Sequence, residues 1–549
     1  MLHVRSLLIR PGTSFGRTRP FGLKLYSSSS QLKSPSESVQ TNEPSSNLYP
    51  KFSFNVYHKD SKSKARVGVI STPHGDVETP NFIFCATRGA MKSITTQQLR
   101  AEGTQIMLSN TYHMMLCPGP DIVEQNGGLQ KFTAWRGPMF TDSGGYQIFS
   151  MGYGSVSNEI KGNRNPGEAD RNKFLQSIDE EGASFRSYVT NQVEKLTPER
   201  SMEVQRKLGA DLVVVFDECT PFNVDKNYTA DSMRRSHRWA LRSLEEFKRT
   251  NTHSQALYGI IQGGTHLDLR DESTAFVNEH DFFASAIGGS LGDSKRTMHE
   301  IVTYTRARLR DDRPVHLLGI GGVVDIFHGV RQGIDTFDCV SPTRLGRHGG
   351  ALVMAAHWEE AVHPLAIQDC TSEAAKLAST KADKLIKRAT EREQSRKRLR
   401  NLLPMDAPSA EFLQEMKVIN DEKERKMAKE AARLAKTRVM SDHIKMKSSL
   451  MRSDPRPIDS TCECYTCKNF SRAYLHHCFS AGELVGGTLV TIHNVHFMNR
   501  LMKAIREGIK NGNLDEVEAQ FLHPQLKERL LSTPAAAVMK ETVIISSEE

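Results

Sequence analysis

The chain has 549 residues, 38% hydrophobic and 25% charged, enough for one large core with appendages. No apolar run approaches the ~20 residues that span a bilayer, and nine unevenly placed cysteines exclude a disulfide framework. The formal net charge of +9 points to an acidic partner, of which nucleic acid is the commonest for a soluble basic protein.

The first 36 residues carry Arg5, Arg10, Arg17, Arg19, Lys24 and Lys33 with four consecutive serines, and no acidic residue precedes Glu37. That composition predicts a transit peptide and delivery to a mitochondrion or other organelle, with a disordered cytoplasmic tail as the alternative. Residues 37–50 are polar and rich in Pro and Ser, so 1–50 read as leader and linker. From 51 to 355, short apolar runs of strand type alternate with longer amphipathic stretches. Eight runs stand out, at 82–87, 105–109, 139–141, 211–216, 256–261, 283–288, 315–320 and 336–340. The alternation predicts an α/β fold with a parallel sheet, and eight is the strand number of a (β/α)8 TIM barrel. A polar residue or glycine closes each of seven runs: Asn110, Asp142, Asp217, Gln262, Gly289, Gly319 and Asp338. A lone carboxylate after a strand is by default a helix cap. Three carboxylates and a glutamine in register predict a site at the carboxyl ends of the strands, where barrel catalysis sits.

Residues 356–441 break the pattern, with helical periodicity and ten Lys/Arg against three acidic residues between Lys376 and Arg400. They read as a charged helical insertion, solvated or in contact with RNA. Within 442–512, Cys462, Cys464 and Cys467 place three thiols in six residues, and His493 follows 26 positions later. Three thiolates and one imidazole make a closed tetrahedral shell with no ligand position left for water, which predicts a structural Zn2+ subdomain inserted near the C-terminus. Spacing leaves His476, His477, His496 and Cys478 open as rivals for the fourth position. The tail, 513–549, carries no motif.

Five stretches together resemble one family, the tRNA-guanine transglycosylases (queuine tRNA-ribosyltransferases): Thr141-Asp-Ser-Gly-Gly-Tyr-Gln147, Phe216-Asp-Glu-Cys-Thr-Pro221, Gly259-Ile-Ile-Gln-Gly-Gly264, Phe337-Asp-Cys-Val-Ser-Pro-Thr-Arg344, and the thiol segment running into Ser471-Arg-Ala-Tyr-Leu-His-His477. The likeness covers about two-thirds of the chain. It implies exchange of the wobble guanine of tRNAs with GUN anticodons for a 7-deazaguanine base. Asp338 is then the nucleophile on the ribose and Asp142 the general acid and base. The base site falls on Ser143, Gly144, Gly145, Tyr146, Asn110, Gln147, Asp217, Gln262 and Gly289. Asp217 accepts from the guanine edge, Gln262 and the Gly289 N–H donate to its carbonyl, and Tyr146 stacks. RNA contacts fall on Gly319, Ile320, Gly321, Gly322, Val323, Val324 and Asp325, and on Thr343, Arg344, Leu345, Gly346 and Arg347.

The likeness also implies a homodimer, or a heterodimer with a related subunit. The 217–219 stretch resembles bacterial members, which use the 7-aminomethyl precursor, whereas the leader argues for preformed queuine. The segment 290–293 departs from the family in being one residue shorter, with serine where leucine is common. A non-catalytic subunit of a heterodimer is the rival reading, and the presence of both Asp142 and Asp338 speaks against it.

Overall fold

The computed structural model describes residues 48–148, 174–222, 224–250, 252–361 and 441–532, together with a few helical residues between 390 and 421. The leader, nearly all of the charged insertion and residues 533–549 lie outside the described residues.

An antiparallel sheet of β1 (Ser53–Lys59), β2 (Arg66–Thr72) and β3 (Gly75–Thr79) leads into the barrel. The barrel strands are β4 (Asn81–Cys85), β5 (Met107–Ser109), β6 (Met139–Thr141), β10 (Leu212–Val214), β11 (Ala256–Ile261), β12 (Ala284–Ile287), β13 (Val315–Leu317) and β14 (Thr336–Cys339). They pair in that order, all parallel, and β14 returns to β4 with Asp338 beside Ile83. Each predicted run supplies one of them. Between β6 and β10 a small antiparallel sheet intervenes, made of β7 (Leu175–Ile178), β8 (Ala183–Arg186) and β9 (Val193–Leu196). The barrel strands read as continuous apolar runs because both their faces are buried. Inside the barrel, rings from three strands meet: Phe140 lies 5.2 Å from Tyr258 and 5.0 Å from His316.

The β1–β3 sheet is tied to the amino ends of the strands. Arg66 on β2 grips Asp335, just before β14, through both carboxylate oxygens at 2.9 and 2.6 Å. It also donates to the carbonyls of Asp311 and Arg313, ahead of β13. With that end closed by polar bracing, the opposite end is left for chemistry.

After β14 the chain forms β15 (Gly350–Leu352), which pairs antiparallel with β16 (His443–Lys445), so the insertion leaves and re-enters between paired strands. The helix Leu484–Asn511 then packs along the helix Ser341–Arg347, and two further helices, Leu514–Phe521 and Pro524–Ser532, bury Leu514, Phe521 and Leu526 in the main core. Among the described residues no helix is long and apolar enough to cross a membrane. Arg66 and Asp335 are 3% and 0% exposed, so removing the cation strands a buried carboxylate. Arg66→Met is expected to cost roughly 3–5 kcal/mol in urea unfolding, and a loss below about 1 kcal/mol would contradict the bracing role.

Candidate active site and metal centre

Parallel pairing brings the carboxyl ends of all eight strands to one rim. Asp338 is the third residue of β14. Its Oδ1 accepts from the Gly319 N–H at 2.8 Å and faces His316 Nε2 at 3.2 Å. His316 is fully buried, and its Nδ1 sits 2.9 Å from the Thr336 hydroxyl. A carboxylate only accepts, so Nε2 carries the proton and Nδ1 accepts from Thr336. Among the described residues, Asp338 Oδ2 has only the weak Cys85 thiol donor, at 3.6 Å, and is the freer oxygen.

Asp142 follows β6, two strands round the barrel beyond β4. Its Oδ1 accepts from the Thr111 N–H at 2.8 Å, and Oδ2 from the Asn110 side-chain amide. Asn110 is itself fixed, because its Oδ1 caps the helix Thr111–Leu116 by accepting from the His113 N–H at 2.9 Å. Burial pushes the Asp142 carboxyl up to about 7 against those two donors, and the charges of Asp338 and Asp217 push the same way.

Asp217, after β10, accepts from the Ser143 hydroxyl at 2.8 Å and from the Gln262 amide at 2.7 Å. Burial raises it to about 6, and these two bonds limit the rise. Gly145 lies so close that a Cβ there would stand 2.3 Å from the Asp217 carbonyl oxygen. Gly289 takes φ +79°, and a Cβ would meet Gln262 Oε1 at 2.3 Å, so only glycine fits. That Oε1 is buried without a partner among the described residues. The expected donor of Gln262 is thus held by Asp217 rather than pointed at the site. Tyr146 is 47% exposed at the rim beside buried Gly144, and Gln147 is half-buried.

The stretches expected to meet RNA divide by burial. Gly319 is exposed, and Ile320 and Gly322 are half-buried. Gly321, Val323, Val324 and Asp325 are buried, and Asp325 binds Lys295 and His299. Burial would raise Asp325, but the Lys295 charge and the hydrogen bonds from His299 and Lys295 hold it below the usual carboxylate range. On the helix after β14, Arg344 is exposed and Arg347 half-buried, while Thr343 and Leu345 are buried and Gly346 packs on Thr491.

Cys462, Cys464, Cys467 and His493 converge, their ligand atoms all within 4.8 Å of one another. His493 Nδ1 stands 3.6, 3.7 and 3.3 Å from the three sulfurs. A tetrahedral ion with metal–sulfur bonds near 2.3 Å and a metal–nitrogen bond near 2.0 Å would set that separation at about 3.5 Å. His493 Nε2 lies 2.8 Å from the Leu352 carbonyl, which takes its proton and leaves Nδ1 free to ligate. Among the described residues His493 is the one that joins the three thiols as a group able to hold a metal ion, while His476 faces the Met446 carbonyl and His496 faces Glu102.

Sequence reasoning did not find His316 or Cys85 beside Asp338. Both fall inside predicted apolar runs, His316 in 315–320 and Cys85 in 82–87, where a residue turned toward the site has the same spacing as a core one.

The sequence model of the family described as Queuine tRNA-ribosyltransferase matches residues 60–526. The chain is 37% identical over 480 residues to the queuine tRNA-ribosyltransferase of Roseiflexus sp. (strain RS-1), covering 85% of this chain and 98% of that protein. It is 35% identical over 469 residues to that of Thermoanaerobacter pseudethanolicus, covering 85% and 96%. The enzyme so named from Protochlamydia amoebophila matches at 35% over 459 residues, 84% and 95% of the two chains. The chain belongs to the queuine tRNA-ribosyltransferase family. Its barrel rim is therefore the place where the chemistry of this family has to be sought.

The Asp142 shift has a measurable sign. The folded carboxyl holds its proton to about pH 7 against an ordinary value of 3.8, so ionisation disfavours the fold, and stability is lost as pH rises through that window. Asparagine does not ionise. The melting temperature of Asp142→Asn, relative to wild type, is expected to rise between about pH 4 and about pH 7 and to level off above, and a difference independent of pH would contradict the shift.

Proposed function

We propose that this protein exchanges the wobble guanine of tRNAs with GUN anticodons for queuine, or its 7-aminomethyl-7-deazaguanine precursor, by double displacement. Family membership supports the substrate class. One observation carries the chemistry: two carboxylates share a barrel rim in unlike settings, Asp338 aligned by donors on one oxygen and Asp142 raised by burial to about 7.

Asp338 Oδ2 attacks the ribose anomeric carbon as the bond to guanine N9 breaks, and that electron pair moves to N9. Asp142 delivers its proton to the departing nitrogen. The incoming base then gives its N9 proton back to Asp142, its nitrogen attacks the same carbon, and Asp338 leaves as carboxylate. A group that titrates near neutrality is suited to both halves. Asp217, Ser143, Gln262 and Gly289 line the base edge, Gly144 and Gly145 give it room, Tyr146 stacks on its face, and Asn110 and Gln147 face base or ribose. Gly319, Ile320 and Gly322 offer accessible backbone to the anticodon, and Arg344 and Arg347 offer guanidinium donors for phosphate or base edges. Cys462, Cys464, Cys467 and His493 hold Zn2+, whose role in a closed shell is structural. Assembly as a homodimer, or with a related subunit, and delivery to an organelle complete the reading. The acid-free leader supports the latter.

With unmodified GUN tRNA and labelled guanine, Asp338→Asn is expected to lose about 10⁴-fold in exchange and Asp142→Asn about 10²–10⁴-fold. Near-normal exchange by Asp338→Asn would contradict the assignment. Offering queuine and its precursor separately, with mass spectrometry of the wobble base, identifies the base inserted. Metal analysis should find zinc equimolar with the chain and absent from Cys464→Ala, and full zinc in that variant would contradict the shell.

A further inference from the structure

The base-reading wall has a support that the proposed chemistry leaves unused. Arg270, on the helix Leu267–Glu279, is 0% exposed. Such a residue is among the rarest to be buried without an anion. Among the described residues no carboxylate pairs with it. Its guanidinium is spent on main-chain oxygens instead: Nε donates to Gly264 at 2.8 Å, Nη1 to Ile261 at 3.2 Å and Gly288 at 3.0 Å, and Nη2 to Ser290 at 3.4 Å.

These carbonyls lie in two loops. Ile261 and Gly264 bracket Gln262 at the end of β11, and Gly288 and Ser290 bracket Gly289 at the end of β12. The flanks of both residues expected to meet the base carbonyl are therefore pinned to one rigid fork. The same fork comes within 3.6 Å of where a Gly289 Cβ would be, so it packs directly against the left-handed turn at φ +79°. Lysine has neither the planarity nor the number of donors to do this.

We propose that Arg270 is a positioning residue for base selectivity, clamping the Gln262 loop, whose amide steadies Asp217, against the Gly289 loop, whose N–H reads the carbonyl edge of a guanine-like base. The inference rests on the exchange reaction proposed above. It predicts a selective loss, because a slack clamp harms recognition of the 6-carbonyl and leaves the remainder of the purine contact intact.

The test compares free guanine with 2-aminopurine, which keeps the amino group and lacks the carbonyl, by calorimetric or competitive binding to wild type and Arg270→Met. The variant should bind guanine about tenfold more weakly and 2-aminopurine within about twofold of wild type, with KM for tRNA unchanged. Equal losses on both bases, or none on either, overturn the inference and leave Arg270 a core brace. If Arg270→Met does not fold, Arg270→Lys is judged by the same two ratios, since it keeps the buried cation but satisfies fewer carbonyls. A wild-type protein that binds neither base overturns the exchange reading, and this inference with it.

Discussion

Two carboxylates on one rim repel each other, and the site depends on how that repulsion is divided. Asp338 and Asp142 stand at the ends of β14 and β6, with β4 and β5 between them, and closure of the barrel alone makes them neighbours. Asp338 is given fixed donors, the Gly319 N–H and His316, which hold its carboxyl group in one orientation. At Asp142, desolvation of the carboxyl and the neighbouring charges of Asp338 and Asp217 favour the proton. Unlike surroundings let chemically identical groups take different roles at one pH.

The metal centre is remote in sequence from that rim but mechanically connected to it. His493 reaches the thiols through Nδ1 and the Leu352 carbonyl on β15 through Nε2. The next residue, Asn494, donates to the carbonyls of Pro342 and Gly350 and accepts from the Leu352 N–H. Pro342 opens the helix that carries Arg344 and Arg347, four residues after Asp338. A bound ion would therefore hold the long helix, and through it the arginine-bearing turn, against β14.

Much of this was legible in the sequence, for a physical reason. Parallel strands buried on both faces leave unbroken apolar runs, and the polar residue that ends each run is what the rim needs, so 256–261 matches β11 residue for residue. Other runs overshoot: 211–216 shrinks to Leu212–Val214 because the chain leaves the ladder as it approaches Asp217. The β1–β3 and β7–β9 sheets were not foreseen, since short half-exposed strands such as 175–178 carry weak alternation. His316 was hidden because an inward polar residue in a barrel strand has the same spacing as a core one. The 319–325 stretch is contiguous in sequence, yet folding divides it into an exposed turn and a buried helix start, with Asp325 turned inward to Lys295 and His299. The choice of His493 over its rivals needed three dimensions, because four residues can satisfy the same spacing.

The central claim is that Asp338 bonds covalently to the ribose while Asp142 moves the proton. It is tested most directly by quenching the protein with GUN tRNA in the absence of incoming base, digesting both, and mapping the crosslinked peptide by mass spectrometry. A ribosyl ester on Asp338 is the predicted result, and an adduct on another residue, or none under conditions where labelled guanine exchanges, would contradict it.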